Sequence, residues 1–308
     1  MVTKPRVYVI VLNWNGYKDT IECIKSLETV VHKNYDLKVA IVDNGSTDIS
    51  LSEIARVIKN KQNYQVIENK ENLGFAGGNN MGIRFAISKH ADYVCVLNND
   101  TIVDKNLIEE FIKISKQYPM LGAITPKIYF AKGYEFHKKR YKAEELGKVV
   151  WSAGGEIDWD NVYGKNVGVD EVDNGQFDET REVEFATGAC ALLNVNSLRE
   201  VGLYNENYFM YLEDVELSQR MRLKTWKIVY APKAVVWHKV SQSSSIGNAL
   251  SDYFITRNRL AFGLKYSPLR SKFALLRESI WFAQNGRQWQ ITGAKDFYLN
   301  RFGKGSWK

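Results

Sequence analysis

Short β-branched runs alternate with amphipathic ones along the first 130 residues. Strands are predicted at 7–12, 39–42, 64–67, 93–97 and 122–129, and helices at 18–29, 49–59, 79–88 and 105–117. Strand and helix in strict alternation imply an α/β fold with a largely parallel, doubly wound sheet. The run Val94, Cys95, Val96 and Leu97 is apolar throughout, the pattern of a strand covered on both faces. Ser46, Thr47 and Asp48 suit the cap of the second helix, and Asp104 that of the fourth.

The regularity stops at residues 131–180, rich in Lys, Gly, Asp and Asn, which reads as a long functional excursion from one core. It returns as a strand over 182–195, a helix over 215–223 and strands at 227–230 and 235–240. Two basic amphipathic helices are expected from Asn248 onward, giving a domain over 1–240 and a helical tail over 241–308. No internal repeat or low-complexity tract interrupts this plan.

Composition narrows the class. The chain has 308 residues, 45% hydrophobic content and five prolines, enough for a full core and no sign of disorder. Cys23, Cys95 and Cys190 are odd in number, widely spaced and set among apolar residues, so they read as buried thiols of a reduced protein. No run nears the roughly 20 apolar residues of a membrane span, and the N-terminus enters a strand without a signal-peptide layout, so a cytoplasmic protein is expected. The net charge of +7 is uneven: from Lys239 to Lys308 twelve Lys and Arg face three acids, which leaves the first 238 residues at −2. Such a tail, interleaved with Phe254, Phe262, Trp281 and Phe282, is expected to make the protein peripheral on the inner face of an anionic membrane; a solvated helix face is the bland alternative.

Candidate chemistry gathers where strands end, the position at which open α/β sheets bind ligands. Asn13 and Asn15 flank Trp14 after the first strand; such amides read a base or ribose, or simply make a turn. Asp43 follows the second strand and can accept from a pyrimidine N3 or a ribose hydroxyl, where cap chemistry explains only Ser46, Thr47 and Asp48. Gly74, Gly77, Gly78 and Gly82 straddle a helix start, but their spacing fits neither the dinucleotide fingerprint nor the phosphate loop, so NAD and ATP lose their main support. Asn98, Asn99 and Asp100 end the fourth strand, and one carboxylate there suits Mg²⁺ or Mn²⁺. Of the histidines, His238 ends a strand, whereas His32, His90 and His137 lie in polar contexts. Glu213 and Asp214 open a helix after Tyr208, Phe209, Met210 and Tyr211; the helix dipole alone favours acids there, and the functional reading is a carboxylate base beside an aromatic sugar wall.

In this order the motifs resemble the inverting GT-A glycosyltransferases of family 2, in particular the rhamnosyltransferase-like branch. The resemblance runs from Val7 to Val240, with Trp151 to Gly155, Phe185 to Cys190 and Asn258 to Leu260 extending it. It implies a GT-A fold in which Asn13, Asp43 and Asn72 contact the nucleoside, Gly77 and Gly78 line that pocket, and Asn99 adjoins the bound donor. Asp100 matches the metal-binding acid of the family's Asp-x-Asp motif, whose first position here is the neutral Asn98, and His238 matches the histidine that completes the metal or diphosphate site. Asp214 matches the catalytic base, with Glu213 orienting acceptor or base.

The implied activity moves a hexosyl group, rhamnosyl by branch, from a nucleoside-diphosphate sugar (dTDP-rhamnose or a UDP-sugar) to a saccharide or lipid-linked saccharide in cell-surface polysaccharide synthesis. Trp151, Trp159 and Tyr163 put the 131–180 excursion on the acceptor side, no nucleic-acid partner is expected, and the oligomeric state stays open. Rival readings are a silent sugar- or lipid-binding module of the same fold, a UDP-hexose transferase with another acceptor, a processive synthase lacking here its Gln-x-x-Arg-Trp signature, and a nucleotidyltransferase lacking its basic glycine-rich loop.

Overall fold

Alternate residues of the first strand face opposite ways, so Val7, Val9 and Val11 pack into one helical layer while Tyr8 and Ile10 pack into the other. The computed structural model describes residues 4–240 and 248–307. Strands β1 (Arg6–Asn13), β2 (Asp36–Asp43), β3 (Tyr64–Glu68) and β4 (Tyr93–Asn98) alternate with helices α1 (Tyr17–Leu27), α2 (Ser50–Ile58) and α3 (Gly74–Ser88). A short β5 (Thr101–Val103), α4 (Leu107–Ser115) and β6 (Leu121–Phe130) follow. The excursion carries β7 (Val150–Ser152) and a separate hairpin of β8 (Gly155–Asp158) and β9 (Tyr163–Asn166). Then come β10 (Arg181–Glu182), β11 (Cys190–Asn194), α5 (Val195–Val201), α6 (Glu213–Leu223) and β12 (Lys227–His238). Helices α7 (Ala249–Tyr266), α8 (Leu269–Asn285) and α9 (Gln288–Tyr298) end the fold.

The ten-stranded sheet runs β10-β12-β6-β11-β4-β1-β2-β3, with β5 beside β12 and β7 beside β6. Strands β3, β2, β1 and β4 are parallel, as are β6 and β12, while β11 runs against both β4 and β6. All the parallel strands therefore deliver their carboxyl ends to one edge. Register sharpens this: Asn13 stands opposite Asp43, Leu12 opposite Asn98, and His238 opposite Thr101 and Phe130.

Several elements differ from the sequence expectation. Helix α3 starts at Gly74 rather than 79, because its glycines let it lie against the sheet: a Cβ on Gly78 would come 2.5 Å from Leu12 Cδ1. The expected strand over 182–195 is two strands separated by a turn, and the two strands expected over 227–240 are one, bulged between Ala231 and Val235. Strand β5 and the reversed direction of β11 were not legible. Neither acid occupies the N-cap itself: Asp48 Oδ1 accepts from Ser50 N ahead of α2, whose N-cap is Ile49, and Asp104 Oδ1 accepts from Asn106 N in the turn that leads into α4.

The tail holds three helices, and Phe254, Phe262 and Phe282 are buried in it; of the expected membrane-facing aromatics only Trp281 is exposed. The expected junction at 240/241 opens on residues outside those described. Among the described residues, no helix is long and apolar enough to cross a membrane.

Candidate functional site

A chain of buried polar groups runs along the carboxyl edge of the sheet. Asn13 Nδ2 donates to Asp43 Oδ2 at 2.8 Å and to Ser46 Oγ at 3.1 Å, and its carbonyl accepts from Thr20 Oγ1 at 2.8 Å. Asn99 Nδ2 donates to the same Thr20 hydroxyl at 3.0 Å. The sequence reading puts Asn13 and Asn99 against the donor. The structure buries Asn13 completely, its amide holding Asp43, and has the half-buried Asn99 tie Asp100's turn to α1 through its Nδ2.

Asp43 is held from three sides, by Asn13 and by the backbone N–H and hydroxyl of Ser46. Beside it Asn44 gathers the next loop, donating to Asn72 Oδ1 and Gly74 O and accepting from Asn69 Nδ2 and Leu73 N. Gly77 and Gly78 are buried within α3, where Leu73, Leu12 and Asn44 would meet their Cβ atoms. Close packing requires glycine at both positions. Thr20 and Asn44 are members of this network to which motif reasoning gave no role, and Ser46, read there only as a helix cap, holds Asp43 instead.

At the other end, pairing of β5 with β12 puts His238 beside Thr101 and so beside Asp100. His238 Nε2 lies 3.0 Å from Asp100 Oδ1, and Lys239 N donates to Asp100 O at 2.9 Å. His238 is buried, its Nδ1 has no hydrogen-bond partner, and Trp151 stands edge-on to the ring at 4.8 Å. Asn98 sits half-buried at the end of β4.

No cluster of three His, Cys, Asp or Glu side chains among the described residues makes a closed metal cage. The donor set is instead one carboxylate, one imidazole with an orphaned ring nitrogen, and a neutral amide. Mg²⁺ commonly binds through one or two carboxylates with substrate phosphates completing its shell, and Mn²⁺ accepts imidazole as well, so these residues fit a cation that arrives with a diphosphate.

The acids that open α6 are reached through an unusual turn. Phe209, Tyr211 and Leu212 take positive φ values of 62°, 70° and 69°, conformations that bulky side chains rarely adopt. Two residues of α7 hold that turn. Asn258 Nδ2 donates to the carbonyls of Tyr208, Met210 and Tyr211 at 2.8–2.9 Å. Arg257, wholly buried, reaches Asn207 O and Tyr208 O at 3.1 and 3.0 Å and Gly303 O at 2.8 Å. The basic tail is thus the scaffold of the turn that presents Glu213 and Asp214. In the sequence Asn258 is visible only as part of the Asn258 to Leu260 signal, and Arg257 not at all.

Asp214 accepts from Gly188 N and Val215 N, each at 2.8 Å. One residue further, Ala189 O accepts from Asn98 N at 2.9 Å. The Gly188-Ala189 link therefore ties the carboxylate at the head of α6 to the end of β4. Burial pushes the Asp214 carboxyl above its ordinary value, against the lowering effect of its two backbone donors. Burial, and then the Asp214 charge, push Glu213 further up, and its Oε2 is buried without a partner.

The excursion borders both ends. Trp151 packs on His238, while a Cβ on Gly164 of β9 would touch Val215 at 2.7 Å. Tyr163 is exposed beneath the Arg259 guanidinium at 4.2 Å, and Trp159 stacks on Phe262 at 5.8 Å.

Residues 8–202 match the profile of glycosyl transferase family 2. A poly-β-1,6-N-acetyl-D-glucosamine synthase of Staphylococcus aureus (strain MSSA476) is 28% identical over 228 residues, 73% of this chain and 48% of that protein, so the chain spans about half its length. An N-acetylglucosaminyl-diphospho-decaprenol L-rhamnosyltransferase of Mycobacterium tuberculosis (strain ATCC 25618 / H37Rv) is 25% identical over 221 residues, 68% of each chain. Among solved structures, a mannosyltransferase of Pyrobaculum calidifontis in complex with GDP-Man and Mn²⁺ superposes with a TM-score of 0.58 at 16% identity, over 97% of this chain and 75% of that one. The likeness extends through the C-terminal helices.

Proposed function

The chain belongs to glycosyl transferase family 2 and has the family's GT-A fold, and from that premise we propose that it is an inverting, metal-assisted hexosyltransferase. The donor is a nucleoside-diphosphate sugar, dTDP-rhamnose or a UDP-sugar, and the acceptor a saccharide or lipid-linked saccharide of a cell-surface polysaccharide. The rhamnosyl reading draws on the rhamnosyltransferase relative.

The observation that supports the proposal is the Gly188-Ala189 link, two successive residues that bond the half-buried Asp214 carboxylate on one side and the end of β4 at Asn98 on the other. In the proposed reaction Asp43 and Asn72 face the nucleoside, with Asn13 positioning Asp43. Asp100 and His238, assisted by Asn98, would hold the cation. When bound, that cation supplies charge neutralisation to the departing diphosphate. Asp214 removes the proton of the acceptor hydroxyl as its oxygen attacks the anomeric carbon and the bond to the diphosphate oxygen breaks. A single displacement inverts the anomeric centre. Asp214's raised proton affinity suits this task, because a base with an unusually low pKa would take the proton weakly. Glu213, buried beside it, is a positioning residue for Asp214. Paired-carboxylate hydrolysis fits less well, since it needs an acid at the leaving group, and a cation-bound diphosphate leaves without one.

The test is transfer from a panel of labelled sugar nucleotides to lipid-linked and free saccharide acceptors, with the product's anomeric configuration read by NMR. An inverted product, lost in Asp214→Asn, supports the proposal. A retained configuration, or undiminished transfer by Asp214→Asn, overturns it.

A further inference from the structure

Helix α8 has two apolar faces where folding needs one. Ser271, Leu275, Ser279 and Phe282 are buried on its inner side. On the outer side Leu269, Phe273 and Ile280 are 73%, 70% and 62% exposed, and with the partly buried Leu276 they recur at the three- and four-residue spacing of a single stripe. A contiguous exposed stripe of this kind marks an interaction surface rather than scattered surface residues.

The charges around it say what it meets. With 3.6 residues per turn, Arg270 and Arg277 flank the stripe on one side together with the exposed Trp281, and Lys272 flanks it on the other. The helix's one acid, Glu278, points away and pairs with Arg259 at 3.1 Å. Tyr298, exposed and bonded through its hydroxyl to Ser279, extends the rim. An apolar centre with cations on both flanks and aromatics at the border is the layout of a helix lying in a lipid interface. A second copy docked on this face would set like charges against one another, whereas an anionic headgroup layer complements them.

We propose that α8 seats the protein on an anionic lipid surface through Leu269, Phe273, Leu276 and Ile280, with Arg270, Lys272 and Arg277 on the headgroups. This deepens the acceptor reading by naming the surface on which a lipid-linked saccharide is met, and it is tested without any sugar, so the two readings fail separately.

The full chain is co-sedimented with phosphatidylcholine vesicles with and without phosphatidylglycerol, at low and high salt. Wild type partitions onto the anionic vesicles and is released by salt. Phe273→Ser with Ile280→Ser lowers partitioning about tenfold or more, and Arg270→Ala with Lys272→Ala and Arg277→Ala abolishes the anionic preference. Unchanged circular dichroism and nucleoside-diphosphate affinity show that the variants remain folded. Equal binding to both vesicle types, no binding, or unaltered binding by the Phe273/Ile280 variant overturns the proposal. So does a concentration-dependent dimer that this variant disperses, which would give the face to a second copy.

Discussion

Replacing Asn258 by Ala should uncouple the proposed base from the rest of the site. The Asn258 amide has two hydrogens shared among three carbonyls of the turn before α6. Tyr208 O keeps donors from Arg257 Nη2 and Met210 N, but the carbonyls of Met210 and Tyr211 each lose one. A buried carbonyl deprived of its partner costs about 1–3 kcal/mol, and partial rehydration of a surface turn puts the sum at about 2–4 kcal/mol. The turn also holds three bulky residues at positive φ, so it should relax once released, moving Asp214, which lies two residues past Leu212. A displacement of about 1 Å typically reduces rate on the order of 100-fold. Steady-state donor turnover should therefore show kcat falling about 100-fold, with donor KM and nucleoside-diphosphate affinity within about threefold of wild type, because Asn258 touches no part of the Asp43-Asn44 network. A lowered denaturation midpoint with native circular dichroism would accompany it. A folded Asn258→Ala enzyme with wild-type kcat, or one altered only in KM, would refute the reasoning.

Four further outcomes follow from the geometry. Because the Glu213-Asp214 pair is pushed upward, the base-dependent kcat/KM should rise along an acid limb centred above the ordinary carboxylate range near pH 4, and Glu213→Gln should move that limb down; a limb at or below about pH 4 in the wild type excludes this pair as the base. The same upward shift means that the pair's contribution to stability is complete below about pH 4 and is lost as pH rises through the raised values. Lys127, 3% exposed, lies 2.6 Å from both Asp173 and Asp178, so Lys127→Ala leaves the partly buried Asp173 carboxylate with only its Tyr129 and Gly175 donors and should lower unfolding stability by about 1–3 kcal/mol in urea; no measurable loss would show that the pair is not sustaining the excursion. Gly78→Ala puts a methyl 2.5 Å from Leu12 and 3.0 Å from the Asn44 amide, which should cost about 1–3 kcal/mol of overpacking and weaken nucleoside-diphosphate binding through Asn44; calorimetry showing unchanged affinity would remove Asn44 from the account.

What was legible in the sequence lies on strongly patterned segments. The run from Val94 to Leu97 fixed where Asn98 to Asp100 would stand, and the strand before His238 led to the same edge of the sheet; β5, three residues long, then joined Asp100 to His238 without a readable pattern of its own. The 182–195 segment misled because Ala186, Ala189 and their neighbours are buried as if in a strand, although they form the turn whose N–H groups and carbonyls serve Asp214 and Asn98. The glycines of α3 looked like a ligand loop because intrinsic propensity argues against helix there, and packing on Leu12 and Ile10 overrode it. In the tail, composition showed the positive charge but not its assignment: Arg257 is spent inside on carbonyls, while Arg270, Lys272 and Arg277 stay outside. Buried polar roles of this kind depend on partners about 50 residues away, which no local window contains.

Calorimetric binding of dTDP, UDP and GDP to the wild type and to Asp100→Ala, each with and without Mn²⁺, tests the central claim most directly. The account predicts a metal-dependent preference for dTDP or UDP that Asp100→Ala abolishes. Absence of nucleoside-diphosphate binding under every condition, or metal-independent binding that Asp100→Ala leaves intact, would contradict it.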